Sequence, residues 1–462
     1  MTNYYFLGIG GIGMSALARY FHMKGYAVSG YDRTRHLVCR TLEEEGIEIH
    51  YEDDVQFIPE SFLSPTQTIV IYTPAIPQDH KELCYFQTHG YKIQKRAEVL
   101  GEITRKERGL CVAGTHGKTT TSTILAHLLY QSSVSCNAFL GGISNNYNSN
   151  LLVSDVSDLV VIEADEYDRS FHQLRPYMAV VTSVDADHLD IYGDSNGFTE
   201  GFAHFTSLIQ PGGCLIMKDG IPLVPRLQDG VRLYRYSGGN GGDFHASNIR
   251  FDNGELLFDF VTPEGVMRDF CLGVPALINV ENSIAAMAIA WLNGVKEAEL
   301  RRAIRSYSGI YRRFNLVVKN EDYVLIDDYA HHPTELRASI ESVRRLYPDK
   351  RIVGVFQPHL YTRTRDFADG FARELSKLDE VILLPIYPAR ELPIEGVSSE
   401  MLLNKIENPE KSLCSKENLL SLLLGKKDTV VLTLGAGDID ALVPVIAEAF
   451  RQEYEQVHLL KD

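Results

Sequence analysis

The chain is 462 residues long, and 45 Lys and Arg stand against 61 Asp and Glu, a formal charge of −16. Its hydrophobic content of 45% and charged content of 23% are those of an ordinary globular protein, which excludes a wholly disordered, collagenous or coiled-coil chain. No apolar run approaches the ~20 residues that cross a bilayer, and the acidic balance lacks the basic footprint of a nucleic-acid binder.

At roughly 100–200 residues per domain, this length predicts about three domains. The segment Met1–Leu7 leads into a glycine loop without the basic and long apolar stretches of a signal peptide. The seven cysteines are odd in number and never spaced C-x-x-C, so neither a disulfide framework nor a structural zinc site is expected. A cytoplasmic protein fits that pattern.

In the first stretch, Tyr4–Gly8 predicts a strand, Met14–Lys24 a helix, and Ala27–Tyr31 and Thr68–Tyr72 further strands. The loop Gly8-Ile9-Gly10-Gly11-Ile12-Gly13 satisfies G-x-G-x-x-G between strand and helix. Glycines there let backbone N–H groups approach a diphosphate at the helix N-terminus. Asp32 follows the second strand, where a dinucleotide fold places its ribose-binding acid. The motif specifies an anion better than it specifies which one. NAD, another nucleotide diphosphate, or a tight turn that binds nothing all remain open from it.

The second stretch opens on the strand Leu110–Ala113, followed by Gly114-Thr115-His116-Gly117-Lys118-Thr119-Thr120 and a helix to about Tyr130. Lys118 is placed to reach the β/γ-phosphates of ATP and the Thr119 hydroxyl to ligate Mg²⁺. Val112 stands where the general phosphate-loop spacing has glycine, so this is a shorter subfamily form. The strand Leu159–Ile162 delivers Glu163 at its C-terminal end, the rim where open α/β sheets bind ligands. A carboxylate there suits a hard cation. After the strand Ala179–Thr182 come Asp185, Asp187 and His188, with His188 a candidate metal ligand. Asn253-Gly254 predicts a hairpin turn in β structure appended to this region, and Gly309–Phe314 a hinge. The third stretch predicts strands near Tyr323–Asp327, Ile352–Phe356, Val381–Pro385 and Thr429–Leu434 between amphipathic helices. Alternating strands and helices throughout predict an α/β chain of mostly parallel sheets.

Taken together, G-I-G-G-I-G-M-S, G-T-H-G-K-T-T-T, E-A-D-E-Y-D, D-H-L-D, D-D-Y-A-H-H-P-T-E and F-Q-P-H-L-Y-T-R-T-R-D resemble the motifs of the ATP-dependent Mur ligases, in order along the whole chain. The resemblance implies a Rossmann-like UDP-substrate domain over 1–106, a P-loop ATPase-like domain over 107–310 and a Rossmann-like closing domain over 311–462. It turns the first glycine loop from NAD to UDP, with Gly10, Gly11 and Gly13 on the diphosphate and Asp32 beside them. The implied reaction is ATP-driven ligation of L-alanine to the lactyl carboxylate of UDP-N-acetylmuramate through an acyl phosphate, releasing ADP and phosphate. Phosphoryl transfer of this kind rests on positioning and charge neutralisation.

By motif match, Mg²⁺ lies on Thr119 and Glu163 with a second ion near His188. His331, Arg363 and Arg365 lie near the incoming amino acid and the reacting carboxylate. Asn282 is carried over to adenine, Asp328 to the ribose region and Arg313 to the phosphates. Two positions depart from the family pattern, Ile278 where relatives carry histidine and Leu360 where they carry a basic residue. The sister ligases use a carbamylated lysine soon after the D-H motif, whereas the first lysine beyond His188 here is Lys218, which favours the alanine-adding branch. A muropeptide-recycling ligase of the same family is the nearest alternative. An NAD-dependent oxidoreductase and a non-catalytic nucleotide switch are the alternatives of other classes. Domain closure is expected, and monomer and homodimer are both compatible with the sequence.

Overall fold

The computed structural model describes residues 2–186, 189–252, 255–389 and 391–458. The candidate ligand His188 and the turn predicted at Asn253-Gly254 lie outside the described residues. Three sheets account for the chain, and each begins from strands whose apolar runs are legible in the sequence. The chain packs as two compact units, residues 1–247 with 259–270 and 281–306, and residues 248–258 and 271–280 with 307–462.

The first sheet contains β1 (Asn3–Leu7), β2 (Ala27–Tyr31), β3 (Glu48–His50), β4 (Thr68–Tyr72) and β5 (Lys92–Lys95) in the order β3-β2-β1-β4-β5. All its pairings are parallel. The order reverses at β1, so the loop after β1 opens at the switch point where doubly wound sheets bind ligands.

The second sheet comprises β6 (Arg108–Ala113), β7 (Asn137–Ser144), β8 (Ser149–Leu152), β9 (Leu159–Glu163), β10 (Pro176–Val181), β11 (Cys214–Lys218), β12 (Arg232–Ser237), β13 (Phe244–Asp252), β14 (Glu255–Thr262) and β15 (Gly265–Leu272). Its order is β15-β14-β13-β12-β11-β10-β6-β9-β7-β8. The strands β6, β9 and β10 lie side by side and parallel, so the loops after all three emerge on one rim. The hairpin of β7 and β8 is antiparallel and was not anticipated. The pair Gly141-Gly142 interrupts the apolar run of β7, and glycine in a strand weakens the sequence signal.

The third sheet comprises β16 (Asn315–Lys319), β17 (Tyr323–Asp328), β18 (Arg351–Phe356), β19 (Glu380–Leu383), β20 (Lys411–Leu413) and β21 (Thr429–Leu434), in the order β16-β17-β21-β18-β19-β20. Only the edge strand β16 runs antiparallel among its described pairings. Every residue of β17 and β21 is buried, as parallel strands covered on both faces require. Their cores close around Val353, Val355, Ile382 and Val431.

Within the first unit, one apolar cluster runs from Phe6 and Leu17 through Phe139 to Val160 and Ile162, so the first and second sheets share a core. A polar clamp reinforces it. The helix Ile12–Met23 leaves the first glycine loop and meets Asn150 on β8. Arg19 Nη1 donates to Asn150 Oδ1 at 2.5 Å, and Asn150 Nδ2 donates to Ile12 O at 2.5 Å and Ser15 Oγ at 2.9 Å. Asn150 is fully buried, so each bond is made without competition from water. The clamp fixes the first glycine loop against the second sheet. Among the described residues no helix is long and apolar enough to cross a membrane.

Candidate active site

The phosphate loop is shaped by two glycines that no other residue replaces without strain. Gly114 and Gly117 have φ of +138° and +81°, and a Cβ at Gly114 would sit 2.0 Å from Thr182 Oγ1. The segment after β10 holds the loop. Ser183 Oγ accepts from His116 N at 2.8 Å, Thr182 Oγ1 donates to His116 O at 2.5 Å, and Thr115 Oγ1 donates to Asp185 O at 2.7 Å. The sequence reading missed Thr182 and Ser183 as partners, although they end a strand on the same rim.

The helix Lys118–Tyr130 starts directly after Gly117, and its first internal bond is donated by Thr121 N to Gly117 O. The N–H groups of Lys118, Thr119 and Thr120 therefore have no intrahelical acceptor, the arrangement that binds phosphate. Lys118 Nζ donates to Gly114 O at 2.6 Å and to Glu166 Oε1 at 2.8 Å. Asn282 packs against the same loop, since a Cβ at Gly117 would lie 2.7 Å from its Oδ1. Thr121 Oγ1 donates to that Oδ1 at 3.3 Å.

Glu163 ends β9 beside this loop. Burial pushes its carboxyl above the ordinary value, and the Lys118 ammonium and the Thr119 hydroxyl help to lower it again. Its Oε2 has no hydrogen-bond partner among the described residues. A hydroxyl, a carboxylate with an orphaned buried oxygen and no soft donor suit Mg²⁺. Gly141 on β7 makes room for the carboxylate, because a Cβ there would lie 1.9 Å from Glu163 Oε2. The sequence signal for it was glycine inside a strand, which marks close approach of another group.

At the first glycine loop, Gly8 takes φ +83° and its N–H donates to Tyr31 O at 2.8 Å. Asp32 Oδ2 accepts from Gly10 N at 2.9 Å, so the acid lies on the loop itself. Gly13 faces Arg96, whose Nη1 would be 1.7 Å from a Cβ at that position. A cleft of about 310 Å³ opens here, with Gly11 and Gly13 on one wall, Lys95 and Arg96 beside them, and Asp165 and Tyr167 opposite. Lys95 Nζ lies 2.7 Å from Asp168 Oδ2, and Arg96 lies 3.9 Å from Asp165. A second cavity of about 110 Å³ shares Gly13, Arg96 and Asp165 with the first and ends on Gly141 and Glu163. The two cavities thus lie on either side of Arg96, between the first glycine loop and the phosphate-loop carboxylate. Lys95 and Arg96 were missed because a basic pair at a strand end reads as solvated surface.

The second unit carries its own cluster. Arg363 Nη1 lies 3.3 Å from His359 Nδ1, and the rings of His359 and His331 are 6.4 Å apart. His331 Nδ1 lies 2.9 Å from Tyr329 O. A carbonyl only accepts, so Nδ1 carries the hydrogen and Nε2 keeps its lone pair. Burial lowers the His331 pKa, with Arg363 adding to the effect, and burial and Arg363 hold His359 down at about 4. His332 caps the helix Pro333–Leu346.

Asp328 is buried, accepts from Ser339 Oγ, and is pushed up to about 6 by burial while Arg313 pulls it down. Arg312 is spent on structure, donating to Gly435 O at 2.6 Å and Gly437 O at 3.1 Å, and Arg312 and Arg313 both lie over the Tyr329 ring, at 4.9 Å and 5.3 Å. Arg365 pairs with its neighbour Asp366 at 2.7 Å and is half exposed, apart from the His331–His359–Arg363 group. Ile278 is exposed, and Leu360 takes φ +68° at the start of the helix Tyr361–Asp366.

A glycine–lysine turn at a helix N-terminus with a hydroxyl and a buried carboxylate beside it, and a second glycine loop at a neighbouring cleft, is the arrangement of a nucleotide-dependent enzyme. Comparison with known proteins makes this specific. Residues 3–108 match the Mur ligase family catalytic domain, 112–290 the Mur ligase middle domain, and 312–437 the Mur ligase glutamate ligase domain. The chain belongs to the Mur ligase family.

The UDP-N-acetylmuramate–L-alanine ligase of Parabacteroides distasonis is 59% identical over 448 residues, covering 97% of both chains. That of Porphyromonas gingivalis is 60% identical over 445 residues, covering 96% of this chain and 98% of its own. Among solved structures, the UDP-N-acetylmuramate–alanine ligase of Thermotoga maritima superposes with a TM-score of 0.83 at 25% identity, over 98% of this chain and all of its own. A murein peptide ligase from Psychrobacter arcticus has the same fold at a TM-score of 0.66 and 21% identity, over 97% and 98% of the two chains.

Proposed function

We propose that the chain joins L-alanine to the lactyl carboxylate of UDP-N-acetylmuramate at the expense of ATP, with ADP and phosphate released through an acyl phosphate. The observation that carries the reading is the pair of cavities on either side of Arg96, between the first glycine loop and Glu163 beside the phosphate loop. It suits a substrate whose diphosphate sits on Gly10, Gly11 and Gly13 and whose carboxylate must reach ATP. The close relatives, which cover almost the whole chain, favour this activity over muropeptide recycling, and nothing in them suggests an oxidoreductase or a switch. The division of labour would follow 1–106 for the UDP substrate, 107–310 for ATP and 311–462 for the amino acid.

A carboxylate is a poor electrophile and repels the γ-phosphate it must attack. Lys118, the amides of Lys118, Thr119 and Thr120, and Arg96 supply positive charge around both anions. Lys118 would exchange Glu166 and Gly114 O for phosphate oxygens when ATP arrives. Thr119 and Glu163, with His188, would hold Mg²⁺, which neutralises phosphate charge in such sites. By family resemblance, Asn282 would contact the adenine, Asp328 the ribose region and Arg313 the phosphates. Phosphorylation converts the carboxylate into an acyl phosphate. The amine of alanine then attacks, and phosphate leaves from the tetrahedral intermediate. His331, neutral with a free Nε2, suits acceptance of the amine proton, and the fork of Arg363 suits a carboxylate.

Phosphate release from ATP tests the proposal. It should require UDP-N-acetylmuramate, Mg²⁺ and L-alanine together, and glycine and L-serine should be poorer. Release that proceeds without the muramyl substrate would overturn it.

A further inference from the structure

Beneath the first glycine loop, Asp32 stands beside two side chains that have no part in the reaction just described, His36 and Cys39. Asp32, His36 and Cys39 bring one carboxylate oxygen, one imidazole nitrogen and one sulfur within 4.8 Å of one another. All three converge on the bare α-carbon of Gly10, where a Cβ would lie 2.9 Å from Asp32 Oδ2, 2.7 Å from His36 Cε1 and 2.3 Å from Cys39 Sγ. We propose that Asp32, His36 and Cys39 form a binding site for a soft divalent cation, zinc first among them, directly under the first glycine loop.

The donor set argues for the ion. Thiolate, imidazole and carboxylate together suit Zn²⁺ in a tetrahedral shell, with water as the fourth ligand, and do not suit Mg²⁺ or Ca²⁺. Tetrahedral ligands on zinc lie about 3.5 Å apart, so the group must contract by roughly an ångström. His36 is exposed and its ring is free to swing, while Cys39 is buried and Asp32 half-buried, which leaves an entry from solvent over the imidazole. His36 is the extended N-cap of the helix Leu37–Glu44 and Cys39 lies in its first turn, three residues on. A sequence search for paired cysteines passes over this spacing.

Burial, with the Asp32 carboxylate adding to it, pushes the Cys39 thiol up to about 11. A thiol gives up its proton when it ligates a metal ion. The ion also touches the loop. Asp32 Oδ2 is the acceptor of the Gly10 N–H, so a cation on that carboxylate competes for the group that orders the loop. This last consequence rests on the assignment of the loop to UDP-N-acetylmuramate, whereas the site itself does not.

Cobalt titration of the untagged, reduced, metal-stripped full-length protein reads the site without any substrate. One equivalent of Co²⁺ should give a sulfur-to-cobalt charge-transfer band, reversed by Zn²⁺. Cys39→Ala should remove the band and His36→Ala should weaken binding tenfold or more, with far-ultraviolet circular dichroism unchanged in both. Absence of the band, or its persistence in Cys39→Ala, overturns the proposal. UDP-N-acetylmuramate should raise the cobalt midpoint, and a midpoint unmoved at saturating nucleotide would overturn the placement under the loop. The ligase reading stands or falls separately on phosphate release at chelator-controlled Mg²⁺.

Discussion

The substitution Gly141→Ala separates catalysis from folding. The added methyl would sit 1.9 Å from Glu163 Oε2, 2.5 Å from its Cδ and 2.7 Å from its Oε1, against an ordinary contact of 3.4–4 Å. Either the carboxylate or the strand must give by about 1.5 Å. The carboxylate is the softer element, because β7 is pinned on both sides of Gly141, by pairing with β8 and β9 at Ala138 and Phe139 and with β8 at Ser144. A misplacement of about 1 Å at a reacting centre costs on the order of 100-fold in rate, about 2.7 kcal/mol. The backbone itself has no objection, since Gly141 is not among the residues with positive φ and alanine suits a strand at least as well as glycine. Phosphate release measured across a Mg²⁺ series should show a roughly 100-fold loss with a raised Mg²⁺ requirement. Urea unfolding should stay within about 1 kcal/mol of the parent. Full activity with an unchanged Mg²⁺ profile would refute the placement of Glu163 as the cation ligand.

Three further outcomes follow from the same geometry. Lys118→Ala should lower turnover on the order of a thousandfold while circular dichroism stays native, since among the described residues the ammonium hydrogen-bonds only Glu166 and loop carbonyls. Asn150→Ala should cost about 3 kcal/mol in urea unfolding, because it removes the buried acceptor of Arg19 Nη1, which keeps only its pair with Glu45, and the donor to Ile12 O, and it should weaken binding of the UDP substrate. Asp328 is raised to about 6 in the fold from an ordinary 3.8, so the folded chain holds a proton that the unfolded chain has released. Its contribution to stability is therefore greatest below about pH 3.8 and is lost as the pH rises to about 6. Asp328→Asn should be more stable than the parent at pH 8, by on the order of 3 kcal/mol, and flatter between pH 4 and 6.

Much of the scaffold was legible because parallel strands buried on both faces read as apolar runs. β2, β4 and β21 coincide with the segments expected from the sequence. The phosphate loop was legible because its glycines and lysine serve one chemistry. What escaped was whatever depends on a neighbour distant in sequence. Gly141 matters only because Glu163 lies across from it, and Asn150 only because Arg19 meets it 131 residues away. Arg96 became part of a site only when Gly13 was seen to leave space for it. The converse also holds. Arg312 and Arg313 are adjacent and alike in sequence and both lie over the Tyr329 ring, and only the structure shows that Arg312 is also bound to Gly435 and Gly437.

The fate of one oxygen atom tests the account most directly. If the lactyl carboxylate is phosphorylated before the amine attacks, one of its oxygens must leave with the phosphate. UDP-N-acetylmuramate labelled with oxygen-18 in that carboxylate, turned over with ATP, Mg²⁺ and L-alanine, should therefore give inorganic phosphate carrying a single heavy oxygen in mass spectra. Unlabelled phosphate would contradict the acyl-phosphate route, and with it the role given to the two cavities between the first glycine loop and Glu163.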